Sequence, residues 1–438
     1  MRHSRPTLLA LTMTLLWTEA SHAQPWSVVT THADQLDSVR VWRLDANGDM
    51  TFVQKIAAGS PPYRFHIDPF GRFEVIPVAM PQGGEIQVYA IGTDGRLDLA
   101  TRRGERGTHV YALEHTLTPD GRYLVNQTER VSGPLQGHWL EVFRIGSDLS
   151  LDRTCLYRVA PNGPPRVHRI SGPLGSCVLP DGSYSVFLNR RLGIEGTISV
   201  LHMTADGVLE DVAQQIDYRA QDVLDGWAVR ADQRMLVTGN LITFPATSFA
   251  IGDDGLLTEI DVWDIEALGR WDVGSLQFRL GGEVLINSRL LSAAPLSHDG
   301  RFFSPAKSFE IAGNLLDAPP AVTPDGRLAL TTWQIDTEGL HWGVFTVQDG
   351  GETALLADHP MPLLYRGAAI VPPRTEEILG DANADGRVDI QDFVRYERHF
   401  DGTVPIRGPL PLARADADQD GDIDRDDQRW VHDRILGL

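Results

Sequence analysis

Thr118-Pro-Asp-Gly-Arg122, Leu179-Pro-Asp-Gly-Ser183 and Thr323-Pro-Asp-Gly-Arg327 are one turn written three times. Pro pre-sets the first turn position, and Gly takes the left-handed one. A short apolar strand follows each, as in Tyr123-Leu-Val125 and Leu328-Ala-Leu330. Weaker copies are Asp68-Pro-Phe-Gly-Arg72, Ala231-Asp-Gln-Arg234 and Leu280-Gly-Gly282. A second kind of hairpin alternates with this one. It reads Val39-Arg-Val-Trp-Arg-Leu-Asp-Ala-Asn-Gly48 and Ile86-Gln-Val-Tyr-Ala-Ile-Gly-Thr-Asp-Gly95. Similar turns fall at Ser147-Asp148, Asp206-Gly207, Asp254-Gly255, Asp299-Gly300 and Asp349-Gly350, in steps of 45 to 59 residues.

Two hairpins per step make four strands per repeat, the pattern of a propeller blade. The fold class expected is therefore all-β, a seven-bladed β-propeller over residues 24–372. Closure would pair Ser27-Val-Val-Thr30 with Ala368-Ala-Ile-Val371, leaving few open sheet edges. A pair of β-sandwiches is the competing architecture, but sandwiches do not repeat a four-strand unit seven times.

Residues Pro62-Tyr-Arg-Phe-His-Ile-Asp-Pro-Phe-Gly-Arg72 and Val88-Tyr-Ala-Ile-Gly-Thr-Asp-Gly-Arg-Leu97 resemble the lactonase-like propeller family. That family includes phosphogluconolactonase-type enzymes, and its motifs speak for architecture more than for chemistry. Arg64 stands where the family often has His in a Pro-Arg-His run. Propellers bind ligands at the mouth of the central channel, beside the innermost strands. Counting back from each Pro-Asp-Gly turn puts Arg64, Glu114 and Ser275 at that mouth, with Arg366 from the last blade. His66, His109, His115 and His168 lie near innermost segments without a paired metal-ligand spacing. No Gly-x-Ser-x-Gly elbow is present. No catalytic residue is assigned.

The C-terminal stretch carries the chemistry. Asp381-Ala-Asn383-Ala-Asp385-Gly386-Arg387-Val388-Asp389-Ile-Gln-Asp392 sets oxygen ligands at loop positions 1, 3, 5 and 12. Gly386 makes the sharp turn, Arg387 offers its carbonyl, and Asp389 acts through water. The second copy places Asp416, Asp418, Asp420, Asp422, Asp424 and Asp427, with Gly421 at the turn. Six to eight hard oxygens at flexible distances suit calcium better than magnesium, so two Ca2+ ions are expected. Phe393, Tyr396 and Phe400, then Trp430, Val431, Ile435 and Leu436, recur at near-helical spacing after the loops. Duplicated calcium loops, each with only an exiting helix, resemble a type I dockerin across 380–438. The resemblance implies a small α-helical domain that binds a cohesin-like protein or cell-surface scaffold. Its partner-binding positions fall on Ile390, Gln391, Arg425 and Asp426, and Gln428 stands where an apolar residue is usual.

Composition frames the rest. The formal charge is −20, which argues against nucleic acid. Arg2 and Arg5, the apolar run Leu8–Trp17 and Ser21-His22-Ala23 form a signal peptide over 1–23. The mature chain then begins at Gln24, is secreted or cell-surface associated, and has no membrane span. Residues 373–379 form the linker. Cys155 and Cys177 would meet an oxidising compartment, either bridged or as two buried thiols. The balance favours a binding protein over an enzyme. The alternative is an exported carbohydrate or lactone hydrolase serving polysaccharide degradation, with carbohydrate as its partner.

Overall fold

A computed structural model describes most of residues 26–372 and 379–436. Outside the description lie 1–25, 373–378, 383–387, 389, 403–405, 407–408, 418–421, 437–438 and a number of inter-strand loops. The expected signal peptide and linker therefore fall outside the described residues, save Leu379 at the linker's end. No described helix is long and apolar enough to cross a membrane.

The strands group into antiparallel sheets that follow one another along the chain. The sheet of Phe73–Met80, Gly83–Ile91 and Leu97–Gly104 is typical: a short inner strand, His66–Ile67, precedes its turn. In the next sheet Val110–Leu117 is innermost, followed outward by Tyr123–Arg130, Gly137–Ile145 and Leu151–Arg158. The innermost strand does precede each Pro-Asp-Gly turn, as at Leu174–Val178 and Ala321–Val322.

Six sheets are well-formed blades. Each has a register shift at the same point of its third strand: Val41/Trp42, Val88/Tyr89, Val142/Phe143, Val200/Leu201, Ser248/Phe249 and Val344/Phe345. Such a bulge tightens the local twist, which lets successive blades stack. The remaining set, Leu276–Phe278, Val284–Asn287, Ser292–Pro295 and Lys307–Ser308, is fragmentary and shows no such shift among the described residues. The expected count of seven differs to that extent. The turn sequence of that set, Leu280-Gly-Gly282, is without both the Pro and the Asp of the Pro-Asp-Gly copies.

Closure follows the expected pairing of strands. Val28 pairs Ile370, Val29 pairs Ala369 and Thr30 pairs Ala368. The first blade is thus built from both ends of the propeller sequence, with Tyr365–Ile370 as its inner strand.

The Asp-Gly turns do more than reverse the chain. Gly207 has φ +79°, and a Cβ there would lie 2.4 Å from the Tyr123 ring of the preceding blade. Gly95 would meet Ser27 in the same way. The turn tip is tied down as well: Tyr123 Oη donates to the Ala205 carbonyl at 2.7 Å, and Thr154 Oγ1 to Gly207 at 2.7 Å. Two glutamines stitch neighbouring blades identically. Gln54 Nε2 donates to the Leu97 carbonyl and its Oε1 accepts from Leu97 N–H, both at 2.9 Å. Gln214 does the same to Leu257.

Apolar layers lie between blades, for example Val29, Val41, Ile76, Val78, Tyr89 and Ile91. Within that layer Glu74 is fully buried, and neither of its oxygens is hydrogen-bonded. Burial pushes its carboxyl well above the usual range. Cys155 and Cys177 are both free thiols; Cys177 is buried, and burial pushes it up to about 12. The bridge held open by the sequence is not formed.

Three helices complete the fold: α1 (Ile390–Phe400), α2 (Pro409–Ala415) and α3 (Arg425–Leu436). Pro409 occupies the first helical position of α2, where its missing N–H costs nothing. This helix enters the second loop, so the expectation of exiting helices alone fails there; the residues leading up to Leu379 before the first loop are outside the described residues.

Candidate metal centre

Helices α1 and α3 each begin at the last residues of an acidic loop. Between them lies a small core of Ala382, Tyr396, Ile406, Ala415 and Val431, flanked by Val388, Phe393, Phe400, Ile423 and Trp430. The start of α3 is capped by its own loop. Asp426 N–H donates to Asp424 Oδ1 at 2.7 Å, and Asp424 N–H donates to Asp427 Oδ2 at 2.8 Å. This reciprocal arrangement is a capping box, and it fixes Asp427 as the loop ends. The other oxygen of Asp427 accepts from Ala417 N–H at 2.6 Å, clamping the loop's two ends together.

The carboxylates converge. Asp381 and Asp392, first and twelfth in loop one, are both 0% exposed, and Asp427 is 1% exposed. All three, with Asp416, bear on the buried Tyr396. Burial, then Asp427, Asp392, Asp381 and Asp416, push its phenol far above its ordinary range. The first and last positions of both loops thus surround one side chain. Arg414, fully buried, donates from Nη1 to Asp381 Oδ2 at 2.6 Å. Carboxylates gathered in an apolar setting repel one another strongly, and a divalent cation between them would relieve that repulsion.

The donor set fits calcium. Carboxylate oxygens of Asp422, Asp424 and Asp427 all lie within 4.8 Å of one another. With Ca–O distances of about 2.3–2.6 Å, oxygens on one ion sit up to roughly 5 Å apart. The donors are all hard oxygens, with no thiolate or imidazole in the group. Asn383, Asp385, Arg387, Asp389, Asp418 and Asp420 are outside the described residues.

The partner-binding positions divide. Ile390 is 62% exposed, and Gln391 and Asp426 are exposed too. Arg425 is exposed but occupied: Nη1 donates to Glu397 Oε1 at 2.8 Å and to Gln428 Oε1 at 2.6 Å, and the guanidinium stacks over Phe400. Gln428 is buried and donates to Glu397 at 2.7 Å. A polar residue at this apolar position is thereby explained: it ties α3 to α1 through Glu397. The Gln428 amide, then Arg425, hold the Glu397 carboxyl below its usual range.

The propeller mouth is less defined. Arg64 and Ser275 lie outside the described residues. Glu114 sits on Val110–Leu117 and Arg366 on Tyr365–Ile370, but their side chains are not described. His66 and His115 pack edge to face on neighbouring inner strands, ring centroids 4.6 Å apart. His168 begins the two-residue strand His168–Arg169, its side chain not described, and His109 is outside the described residues.

One constellation has no signature in the sequence. Ser183 Oγ lies 2.9 Å from His202 Nε2, and His202 Nδ1 lies 2.9 Å from Glu210 Oε2. These are the contacts of a Ser-His-acid triad. The Ser183 hydroxyl, however, donates to Asp181 Oδ1 at 2.6 Å. Its backbone N–H also donates to Asp181, and Gly182 N–H to the Leu179 carbonyl, so neither is an oxyanion donor. The proton a base would take is already held by a carboxylate. The cluster pins a turn to two strands and is not a nucleophile.

Residues 379–436 match the dockerin type I domain. No curated protein matches the chain. Solved structures match the propeller. A periplasmic gluconolactonase of Pseudomonas aeruginosa is 18% identical with TM-score 0.61, over 79% of this chain and 99% of that one. A putative 6-phosphogluconolactonase of Bacteroides fragilis is 13% identical with TM-score 0.58, over 80% and 99%. A Lactobacillus plantarum protein is 12% identical with TM-score 0.60, over 79% and 99%. At these identities the likeness concerns fold. The chain is a β-propeller with lactonase-like structural neighbours, followed by a dockerin type I domain, a module that binds calcium.

Proposed function

We propose that this is a secreted attachment protein. Its dockerin domain, holding two calcium ions, fixes it to a cohesin-like partner or cell-surface scaffold, and the propeller presents a binding surface. The reading divides the chain into a signal peptide (1–23), propeller (24–372), linker (373–379) and calcium module (380–438). The observation that carries it is the burial of Asp381, Asp392 and Asp427 at the ends of two acidic loops, with Asp427 clamped to Ala417 across the second loop, within a dockerin match. Exposed Ile390, Gln391 and Asp426 supply the partner-facing surface, and Val394, 41% exposed one turn on from Ile390, extends it. Arg425 reaches a partner only by giving up Glu397.

The test is capture of partners from the native secretome by immobilised full-length protein, with calcium and with chelator. Calcium-dependent capture of a cohesin-bearing protein is the expected result. Capture that ignores calcium, or no capture at all, overturns the reading.

The lactonase-like neighbours favour one second reading, a carbohydrate or lactone hydrolase working at the channel mouth around Arg64, Glu114, Ser275 and Arg366. Lactone hydrolysis above background, lost in Glu114→Gln, would establish it.

A further inference from the structure

The module is a duplication. Asp381 answers to Asp416 and Asp392 to Asp427, so α1 and α3 begin at equivalent residues, Ile390 and Arg425. Both helices lie inside the dockerin match. On α1, Phe393, Tyr396 and Phe400 belong to the core. Ile390, Val394 and Arg398 follow one another at four-residue steps along a different face. Ile390 is 62% and Val394 41% exposed, and Arg398 is exposed without an ion pair among the described residues. The equivalents on α3 are Arg425, Arg429 and Asp433. Each of these already has a partner within the module. Arg425 Nη1 lies 2.8 Å from Glu397 Oε1, Arg429 Nη1 3.2 Å from Asp426 Oδ1, and Asp433 Oδ1 3.0 Å from His432 Nδ1. The two halves thus present equivalent stripes of opposite chemistry.

We propose that the module docks through the α1 stripe alone, in one orientation, against a partner protein that offers an apolar recess with a carboxylate at its edge. This rests on the attachment reading and names the face and the partner chemistry within it. Burying Ile390 and Val394 removes apolar surface from water at little polar cost. Burying the α3 stripe strips water from charges that are already paired, and that desolvation is poorly repaid. Interface centres are accordingly depleted in charge. Arg398 ends the α1 stripe with an available cation, so a carboxylate on the partner is its match. The α3 stripe, Asp426 included, is left as the polar rim. Arg425 and Gln428 support the arrangement from behind, because both hold Glu397 and so fix α1 against α3.

The test uses the full-length protein and the cohesin-bearing protein recovered in the attachment experiment, purified and titrated calorimetrically in saturating calcium. Ile390→Asp and Val394→Asp should each weaken binding by about tenfold or more. Arg398→Glu should weaken it by about fivefold. The double variant Arg429→Glu/Asp433→Arg should stay within about threefold of the wild type. Far-UV circular dichroism in calcium confirms that each variant is folded, and Val394→Ser replaces an aspartate variant that is not. Equal losses from the two stripes overturn the proposal. So does binding that survives both Ile390→Asp and Val394→Asp, since α3 would then serve equally well. Recovery of no cohesin-bearing protein, or binding that ignores calcium, sinks the attachment reading and this inference with it, so the two failures are distinguishable.

Discussion

Glu74 should make this propeller less stable at neutral pH than it is in mild acid. The carboxyl is 0% exposed within the layer of Ile76, Val78 and Tyr89, and neither oxygen has a hydrogen-bond partner. The charged and titratable groups that bear on this layer through Tyr89 are Arg102 and Glu85. Desolvation pushes the folded-state carboxyl well above its ordinary range. In the unfolded chain a Glu ionises near pH ~4.3. Between that pH and the raised folded value, the unfolded state releases a proton that the folded state keeps. Stability contributed by this group is complete below about pH 4 and declines as pH rises, by about 1.4 kcal/mol per unit. Unfolding entropy of roughly 2.1 cal/mol/K per residue, over a propeller of this size, turns that slope into about 2 °C per pH unit. Glu74→Gln keeps the shape and one polar burden but cannot ionise. The measurement is scanning calorimetry of wild type and variant from pH 4.5 to 7.5 in saturating calcium. The variant's advantage should be near zero at pH 4.5 and widen as pH rises, levelling off once the folded-state carboxyl ionises. Glu74→Met should add a pH-independent gain of about 1–3 kcal/mol, because a buried unsatisfied polar group is removed. A Gln-minus-wild-type difference that stays flat across this range, or that favours the wild type, would refute the reasoning.

Other perturbations have equally definite outcomes. Chelation should melt residues 379–436 while the propeller transition stays in place; millimolar calcium at a micromolar site adds about 4 kcal/mol, comparable to the whole core of so small a domain. Gly207→Ala should cost about 2 kcal/mol or more by chemical denaturation, since φ +79° and the Tyr123 ring at 2.4 Å both oppose a Cβ. A change under half a kilocalorie would show that the turn simply shifts. Thiol alkylation followed by mass spectrometry should leave Cys177 unmodified in the native protein and modify both cysteines after unfolding; a disulfide would block both throughout.

What could be read from the chain and what could not follow one physical rule. Turns announce themselves, because Pro and Gly at fixed offsets are demanded by backbone dihedrals alone. The innermost strands and the closing pair of strands around Val28 and Ile370 were legible on that basis. Glu74 was not. Alternation identifies a strand with one buried face, but in Phe73-Glu-Val-Ile76 both faces are buried, so the pattern gives no warning of an acid inside. Ser183, His202 and Glu210 are brought together by strand register across three segments, and no local spacing encodes that. Gln428 looked like a misfit until Glu397 and Arg425 supplied its partners. Arg414 carries no motif at all; its role depends on α2 returning the chain to loop one.

Those illegible residues bear on how attachment works in the proposed reading. The propeller is held by inter-blade hydrogen bonds such as Gln54 to Leu97 and by apolar layers, neither of which involves a metal. The module buries carboxylates at the ends of both its loops, so in this reading its stability follows calcium. The two parts therefore answer to different variables. Falling calcium would release the protein from its partner through the module alone, and the propeller would leave intact. Release would act first where the calcium loop meets the partner surface, since helix α1, which leaves loop one, carries the exposed Ile390 and Val394. Partner affinity should then fall with calcium in step with the helical signal of the module, and a partner-binding curve that stays flat while that signal is lost would separate docking from the calcium loops.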